Sequence, residues 1–192
     1  MKVGIFTFHR AHNYGAFLQA FALKTYIECL GNEVVFIDYE DKNHHSLYRL
    51  FGTINEKGKK RSLFSIIKSF IKQVILFIPR YRRYKRFQRE IEDKLGVKGN
   101  PIFNPEKLSD DCDIYVYGSD QIWRKDSYVG GFDKVFWGEH PMTKAKRITY
   151  AASMGKLVSE EEDKEWVKQH IKNFSKISVR EDHLKSFIPV RL

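Results

Sequence analysis

Cysteine is scarce in this chain of 192 residues: there are two, Cys29 and Cys112, far apart and in no CxxC or ligand-spaced pattern. That scarcity excludes a disulfide framework and a structural zinc, and it fits a reducing, cytoplasmic compartment. A secretory signal is missing too. The first residues read as a strand with one lysine, not as a charged segment, an apolar core and a small-residue cleavage site. Neither GxGxxG nor GxxxxGK[ST] occurs after the first strand, so the dinucleotide and P-loop fingerprints are absent. No apolar run is long enough to cross a bilayer. The longest, within 62–78, is interrupted by Lys68 and Lys72.

Acidic residues are missing where they matter most. Between Lys57 and Arg89 there are twelve Lys or Arg and no Asp or Glu. Taking those twelve from the formal net charge of +10 leaves −2 for everything else. The chain is therefore a near-neutral globular protein carrying a basic insertion, 41–99.

What is present reads as alternating strands and helices. Lys2 to Phe8 is an apolar, β-rich run, and a helix follows with apolar residues at 17, 18, 21, 22, 26, 27 and 30. Gly31-Asn32 stops that helix, and Glu33 to Asp38 is the second strand, so the opening is a βαβ unit. The loop between first strand and helix carries His9, Arg10, His12, Asn13, Tyr14 and Gly15. Helix amino termini favour anions, so His9, Arg10 and His12 could add donors to a phosphate or carboxylate there. The plain alternative is loop polarity around Asn13 as a cap.

Asp113 to Tyr117 is a strand that runs straight into Gly118, Ser119, Asp120 and Gln121. That end reads equally as a tight turn capped by Asp120 and as a ligand site at a strand's carboxyl end. Lys146 to Ala151 is a further strand, followed by Ser153 and Gly155, and Ser175 to Val179 is the last, followed by Arg180. A capping box at Ser159–Glu162 starts a helix that runs to about Phe174. If the strands are parallel, Asn13, Gly15, Gly118 to Gln121, Ser153, Gly155 and Arg180 gather on one edge, which favours a site over coincidental caps.

The insertion reads as two helices joined at Pro79: an apolar segment, Ser62 to Ile78, and a charged one, Arg80 to Leu95. Its basic, amphipathic character fits either docking on protein or lying on an anionic membrane surface. Nucleic acid is not expected, because no recognisable motif accompanies the basic run.

Five blocks together resemble the polysaccharide pyruvyl transferase family: His12 to Ala16 with Leu18-Gln19-Ala20; Ile37-Asp38-Tyr39; Gly118 to Trp123; Tyr150 to Gly155; and Ser178-Val179-Arg180-Glu181. The resemblance implies transfer of an enolpyruvyl-derived group from phosphoenolpyruvate to sugar hydroxyls, making pyruvate ketals on surface or exopolysaccharide such as capsule. It implies no metal and no cofactor beyond the donor. It also implies a Rossmann-like parallel sheet with helices on both faces, resembling the amino-terminal domain of a GT-B-type transferase. Arg180 would lie by the donor, Asn13, Tyr14, Gly15, Gly118, Ser119, Asp120, Gln121, Ser153 and Gly155 would line the site, and His12 and Asp120 are the unranked catalytic candidates. Members are about twice this length, and their second domain supplies part of the donor pocket. The expectation is thus a single amino-terminal domain over 1–192, truncated, inactive alone, and completed by a separate carboxyl-terminal half. The acceptor would be a glycan or lipid-linked sugar, at the inner face of the plasma membrane if the segment 62–95 makes a peripheral contact. Competing functions are a non-catalytic binding or scaffold module of glycan assembly, and a glycosyltransferase fragment using nucleotide sugars.

Overall fold

The side chains of the first strand alternate between two apolar environments, and that alternation sets the architecture. The computed structural model describes residues 1–46, 63–109, 111–125, 130–142, 144–156, 161–185 and 188, with backbone alone for 43, 46 and 63–75. Strand β1 (Lys2–Phe6) sends Val3 and Ile5 to one face, where they meet Leu23 and Ile27 of α1 (Tyr14–Cys29). Phe6 points to the opposite face, into a second and larger core. A strand apolar on both sides can only be central in its sheet.

Four strands form that sheet in the order β2-β1-β3-β4, all parallel, with β2 at Glu33–Phe36, β3 at Ile114–Tyr117 and β4 at Lys146–Thr149. Chain order reverses between β1 and β3, which makes the gap beyond their carboxyl ends the topological switch point. The expected α/β fold with a parallel sheet is present, and helices lie on both faces. On one side are α1 and the end of the long helix described below. On the other are a 3-10 helix at Lys134–Trp137, α4 (Glu161–His170) and the 3-10 turn Ile171–Asn173 after it, and their packing residues Val135, Phe136, Trp137, Val167 and Ile171 are buried. Trp123 and Trp137 stack at 4.6 Å in the middle of this second core.

Three expectations are corrected. The last strand is reduced to isolated parallel bridges, Ile148 with Lys176 and Ala152 with Val179; between them the Thr149 hydroxyl donates to the Ser178 carbonyl and accepts from the Ser178 amide, taking the place of backbone pairing. Pro79 does not divide two helices. After a short helix α2 (Lys42–Ser46), α3 runs unbroken from Leu63 to Glu90 with Pro79 inside, and a π-helical turn, Ile91–Leu95, continues it to Gly96. A proline costs one backbone hydrogen bond at that point, which an otherwise apolar and basic helix former run can absorb. In α1 the buried residues are Ala16, Ala20, Leu23 and Ile27, while Leu18, Tyr26 and Leu30 are exposed. Ala20 packs against Ile91, Leu95 and Val97, while Leu23 and Ile27 meet the sheet. The cap of α4 (Glu161–His170) expected at Ser159 and the charge run 56–61 lie outside the described residues. Among those described, no helix is long and apolar enough to cross a membrane.

Close approach also explains Gly4. A Cβ there would stand 2.6 Å from Cδ1 of the fully buried Tyr115 on the neighbouring strand. Gly4→Ala should therefore lower stability by about 1–3 kcal/mol, seen as a reduced urea midpoint at unchanged slope.

Candidate functional site

At the switch point one side chain ties three elements together. Gln19, in the second turn of α1, donates from Nε2 to Thr7 Oγ1 and to the Ala16 carbonyl, both at 2.9 Å. Its Oε1 accepts from the Ser119 amide and the Ser119 hydroxyl, each at 3.1 Å. The carboxyl ends of β1 and β3 are thereby clasped to the start of α1. Asn13 caps that helix, accepting from the Gly15 amide at 2.8 Å. Gly15 sits against this cap, and Tyr14 is 63 % exposed beside it. The amino terminus of α1 thus opens at the sheet's carboxyl edge, where backbone N–H groups favour an anion.

Two of the loop's cations do not face that opening. Arg10 grips Asp38 with Nε at 2.5 Å and Nη2 at 2.6 Å, and also donates to the Gly99 carbonyl. His9, almost fully buried, contacts the same carboxylate through Nε2 at 3.1 Å. The expectation that His9 and Arg10 serve a ligand is corrected: Arg10 neutralises the acidic residue just beyond β2, and His9 contacts the same carboxylate. Burial pushes the Asp38 carboxyl up, but the Arg10 and His9 contacts outweigh it and hold it down at about 2. His12 lies against α3, stacked on Phe87 and 3.1 Å from Gln88 Nε2. Burial lowers its pKa, which keeps the imidazole neutral at physiological pH.

The ends of β3 and β4 meet around Ser153, which is fully buried. Its Oγ accepts from Arg180 Nη2 at 2.7 Å and from the Gly155 amide at 3.1 Å, and it donates to Glu181 Oε1. Arg180 also reaches the Ser119 carbonyl and pairs with Glu181, yet its side chain remains 42 % exposed. Asp120 closes its own turn by accepting from the Gln121 amide, while its carbonyl takes the Ser153 amide. The Gln121 side chain lies against Gly155, where a Cβ would come within 3.0 Å of it. Gly118 is more tightly confined: at φ 129°, its Cβ would stand 2.0 Å from the Tyr150 carbonyl oxygen. Ala151, next in that chain, itself has φ 47°. Backbone conformations of this kind cluster where the surroundings hold them for a purpose.

Beside this edge a small cavity of about 30 Å³ runs between the β1 loop, Tyr39, His44, Gln121, Arg124, Asp133 and Phe136. It has room for a water or two. Burial raises the Asp133 carboxyl to about 6, although the Val135 amide and Tyr39 hydroxyl both favour its charged form. Glu40 behaves oppositely: burial raises it, but His44 and His45 outweigh burial and hold it below its usual range. No group of three or more metal-ligating side chains occurs among the described residues.

Asn13, Tyr14 and Gly15 therefore gather at the start of α1, and Gly118, Ser119, Asp120, Gln121, Ser153, Gly155 and Arg180 gather across β3 and β4. His12 stands apart against α3. Gln19, Thr7 and Glu181 were not singled out as site residues. Gln19 and Glu181 stood inside recognised blocks, whereas Thr7 carried no separate signal, being one polar residue in an apolar strand.

This is a doubly wound α/β protein whose polar side chains converge at the carboxyl edge of its sheet, the place where proteins of that class bind ligands. The chain belongs to the polysaccharide pyruvyl transferase family, whose family model, described as Polysaccharide pyruvyl transferase, matches residues 13–188. No curated protein and no solved structure matches the chain.

The Asp38 cluster makes a pH prediction. A depressed carboxyl stabilises the fold fully above its unfolded pKa near 4, and that stability is lost as pH falls through about 2. The difference amounts to about 2 kcal/mol. Asp38→Asn should remove it at neutral pH and leave Arg10 buried without its counter-charge. Comparing urea midpoints of the two proteins from pH 7 downward should show the gap closing below about pH 4.

Proposed function

We propose that this protein takes part in pyruvyl transfer from phosphoenolpyruvate to a sugar of a surface or exopolysaccharide, with its carboxyl edge as one wall of the donor cleft. The observation that carries the reading is Arg180. Its guanidinium is anchored by Ser153, the Ser119 carbonyl and Glu181, its side chain stays 42 % exposed, and Ser119 in turn joins it to Gln19 of α1. Phosphoenolpyruvate offers a carboxylate and a phosphate, and a planar guanidinium matches either in bidentate fashion. With His9 and Arg10 committed to Asp38, Arg180 is the cation at this edge best placed for the donor.

In the overall reaction, two hydroxyls of one sugar add to C2 of phosphoenolpyruvate. The methylene carbon takes one proton and becomes a methyl group, the C2–O bond to phosphate breaks, and inorganic phosphate leaves with the other proton. Of the two catalytic candidates, His12 is held against Phe87 and Gln88 of α3, so a role for it as proton acceptor would require the acceptor sugar to reach that side of the α1 start. Asp120, whose other oxygen lies in the same turn, is suited to orient the acceptor. The second wall is proposed to come from outside these 192 residues, in a GT-B-type arrangement. The exposure of Arg180 and Tyr14, together with an adjoining cavity too small for phosphoenolpyruvate, supports this. A cytoplasmic location suits the two unpaired cysteines.

The open edge equally favours a non-catalytic module of glycan assembly, and one pair of measurements separates the readings. Calorimetry should show phosphoenolpyruvate binding to the intact chain, weakened about 10–100-fold in Arg180→Ala. Phosphate release with sugar acceptors should be undetectable for the chain alone. Unchanged binding in Arg180→Ala would sink the donor reading, and vigorous turnover by the chain alone would sink the missing wall.

A further inference from the structure

The part of α3 remote from the sheet is the most unusual surface of the molecule. Its carboxyl-terminal turns are docked: Phe87 and Ile91 are buried, Arg83 Nη2 donates to the His12 carbonyl at 3.0 Å, and Tyr84 and Phe87 contact the His12 ring. Towards the amino terminus the helix leaves the body. Residues 77–83 are exposed on every side. Ile78 is 60 % exposed and Tyr81 40 %, with the Phe77 ring stacked on Tyr81.

The chemistry of these turns is divided by sector. Counting 100° per residue, Phe77, Tyr81 and Ile78 share one side of the helix. Lys85 falls in the same sector one turn on, its Nζ over the Tyr81 ring, while Arg89, Arg82 and Arg86 follow around the cylinder and Arg83 is beyond them. No described Asp or Glu pairs with Arg80, Arg82, Arg86 or Arg89.

We infer that α3 is a peripheral membrane anchor that lies on an anionic lipid surface, with the Phe77–Ile78–Tyr81 stripe in the headgroup–acyl boundary and the flanking arginines on lipid phosphates. This inference does not depend on the transfer chemistry. An apolar stripe bordered by cations is the pattern of helices that lie in the interface plane. Long basic side chains bury their stems beside the stripe and keep their charge at the phosphates. A second copy of the chain is a poor occupant, since pairing two such helices sets eight cations against eight. A nucleic acid would use the arginines but leave the stripe wet. Because α3 also holds the His12 loop, a protein anchored this way presents its sheet edge close to the bilayer.

The test uses the full chain with extruded vesicles of phosphatidylcholine alone or mixed with phosphatidylglycerol. Co-sedimentation is expected with the anionic vesicles only, and it should fall steeply with added salt. The triple variant Arg82→Gln, Arg86→Gln, Arg89→Gln should bind anionic vesicles about a hundredfold more weakly. Ile78→Ser with Tyr81→Ser should also lose binding while retaining a wild-type circular dichroism spectrum, since both residues are exposed. Absence of sedimentation with anionic vesicles would overturn the inference, as would equal binding to neutral ones. So would a light-scattering mass that doubles and returns to monomer in the Ser variant, which would make the stripe a contact between copies. Tight binding of an oligonucleotide that survives the Ser substitutions, with no vesicle binding, would assign the arginines to nucleic acid.

Discussion

The parallel pairing of β1 with β3 is the constraint on which the rest of the molecule depends. Val3 through Phe6 match Ile114 through Tyr117 residue for residue, and this register puts Val3, Ile5 and Val116 on one face and Phe6, Tyr115 and Tyr117 on the other. A slip by one residue would exchange the two cores. Two devices hold the register. Inside the sheet, Gly4 leaves the space that the Tyr115 ring fills. At its edge, Gln19 joins Thr7 to Ser119 across the same two strands. The position of the candidate site is therefore a consequence of core packing: whatever aligns β1 with β3 also aligns the two loops that face a ligand.

Electrostatics divides the carboxyl edge into committed and open charge. Beyond β2, Asp38 absorbs both His9 and Arg10, and Glu40 is flanked by His44 and His45. Those groups fix the loops and leave little net field. Beyond β3 and β4 the balance differs. Arg180 is held by neutral oxygens of Ser153 and Ser119 in addition to Glu181, and its side chain stays partly exposed. The buried Glu181 Oε2 has no hydrogen-bond partner among the described residues. A group entering beside Arg180 would find one carboxylate and one guanidinium already coupled, so its charge would redistribute an existing pair.

Much of this was legible in the residues. Apolar runs ending in Gly118 or before Asn13 marked the strands, because a strand buried on both faces needs β-branched and aromatic residues throughout and a break afterwards. The convergence of Ser119, Ser153 and Arg180 followed once the strands were taken as parallel. Three features escaped for physical reasons. Arg10 looked like an anion ligand because its partner, Asp38, is supplied by a different strand end. Pro79 looked like a boundary because local chemistry disfavours it inside a helix, and the length of α3 on either side overrides that preference. The inner face of α1 was misassigned because it is lined by Ala16 and Ala20, which carry little weight in a hydrophobic pattern but permit close packing.

The anchoring of Arg180 has a temporal consequence. Ser119 and Ser153 precede Arg180 by 61 and 27 positions, so the cation of this edge is the last of its parts to leave the ribosome. The β1–β3 pair and the Gln19 clasp can assemble earlier, giving a folded sheet whose edge is still without its guanidinium. Such a nascent chain would have the scaffold, and the backbone N–H groups of α1, before it had a guanidinium at this edge, so anion capture through Arg180 would begin only once that residue had emerged.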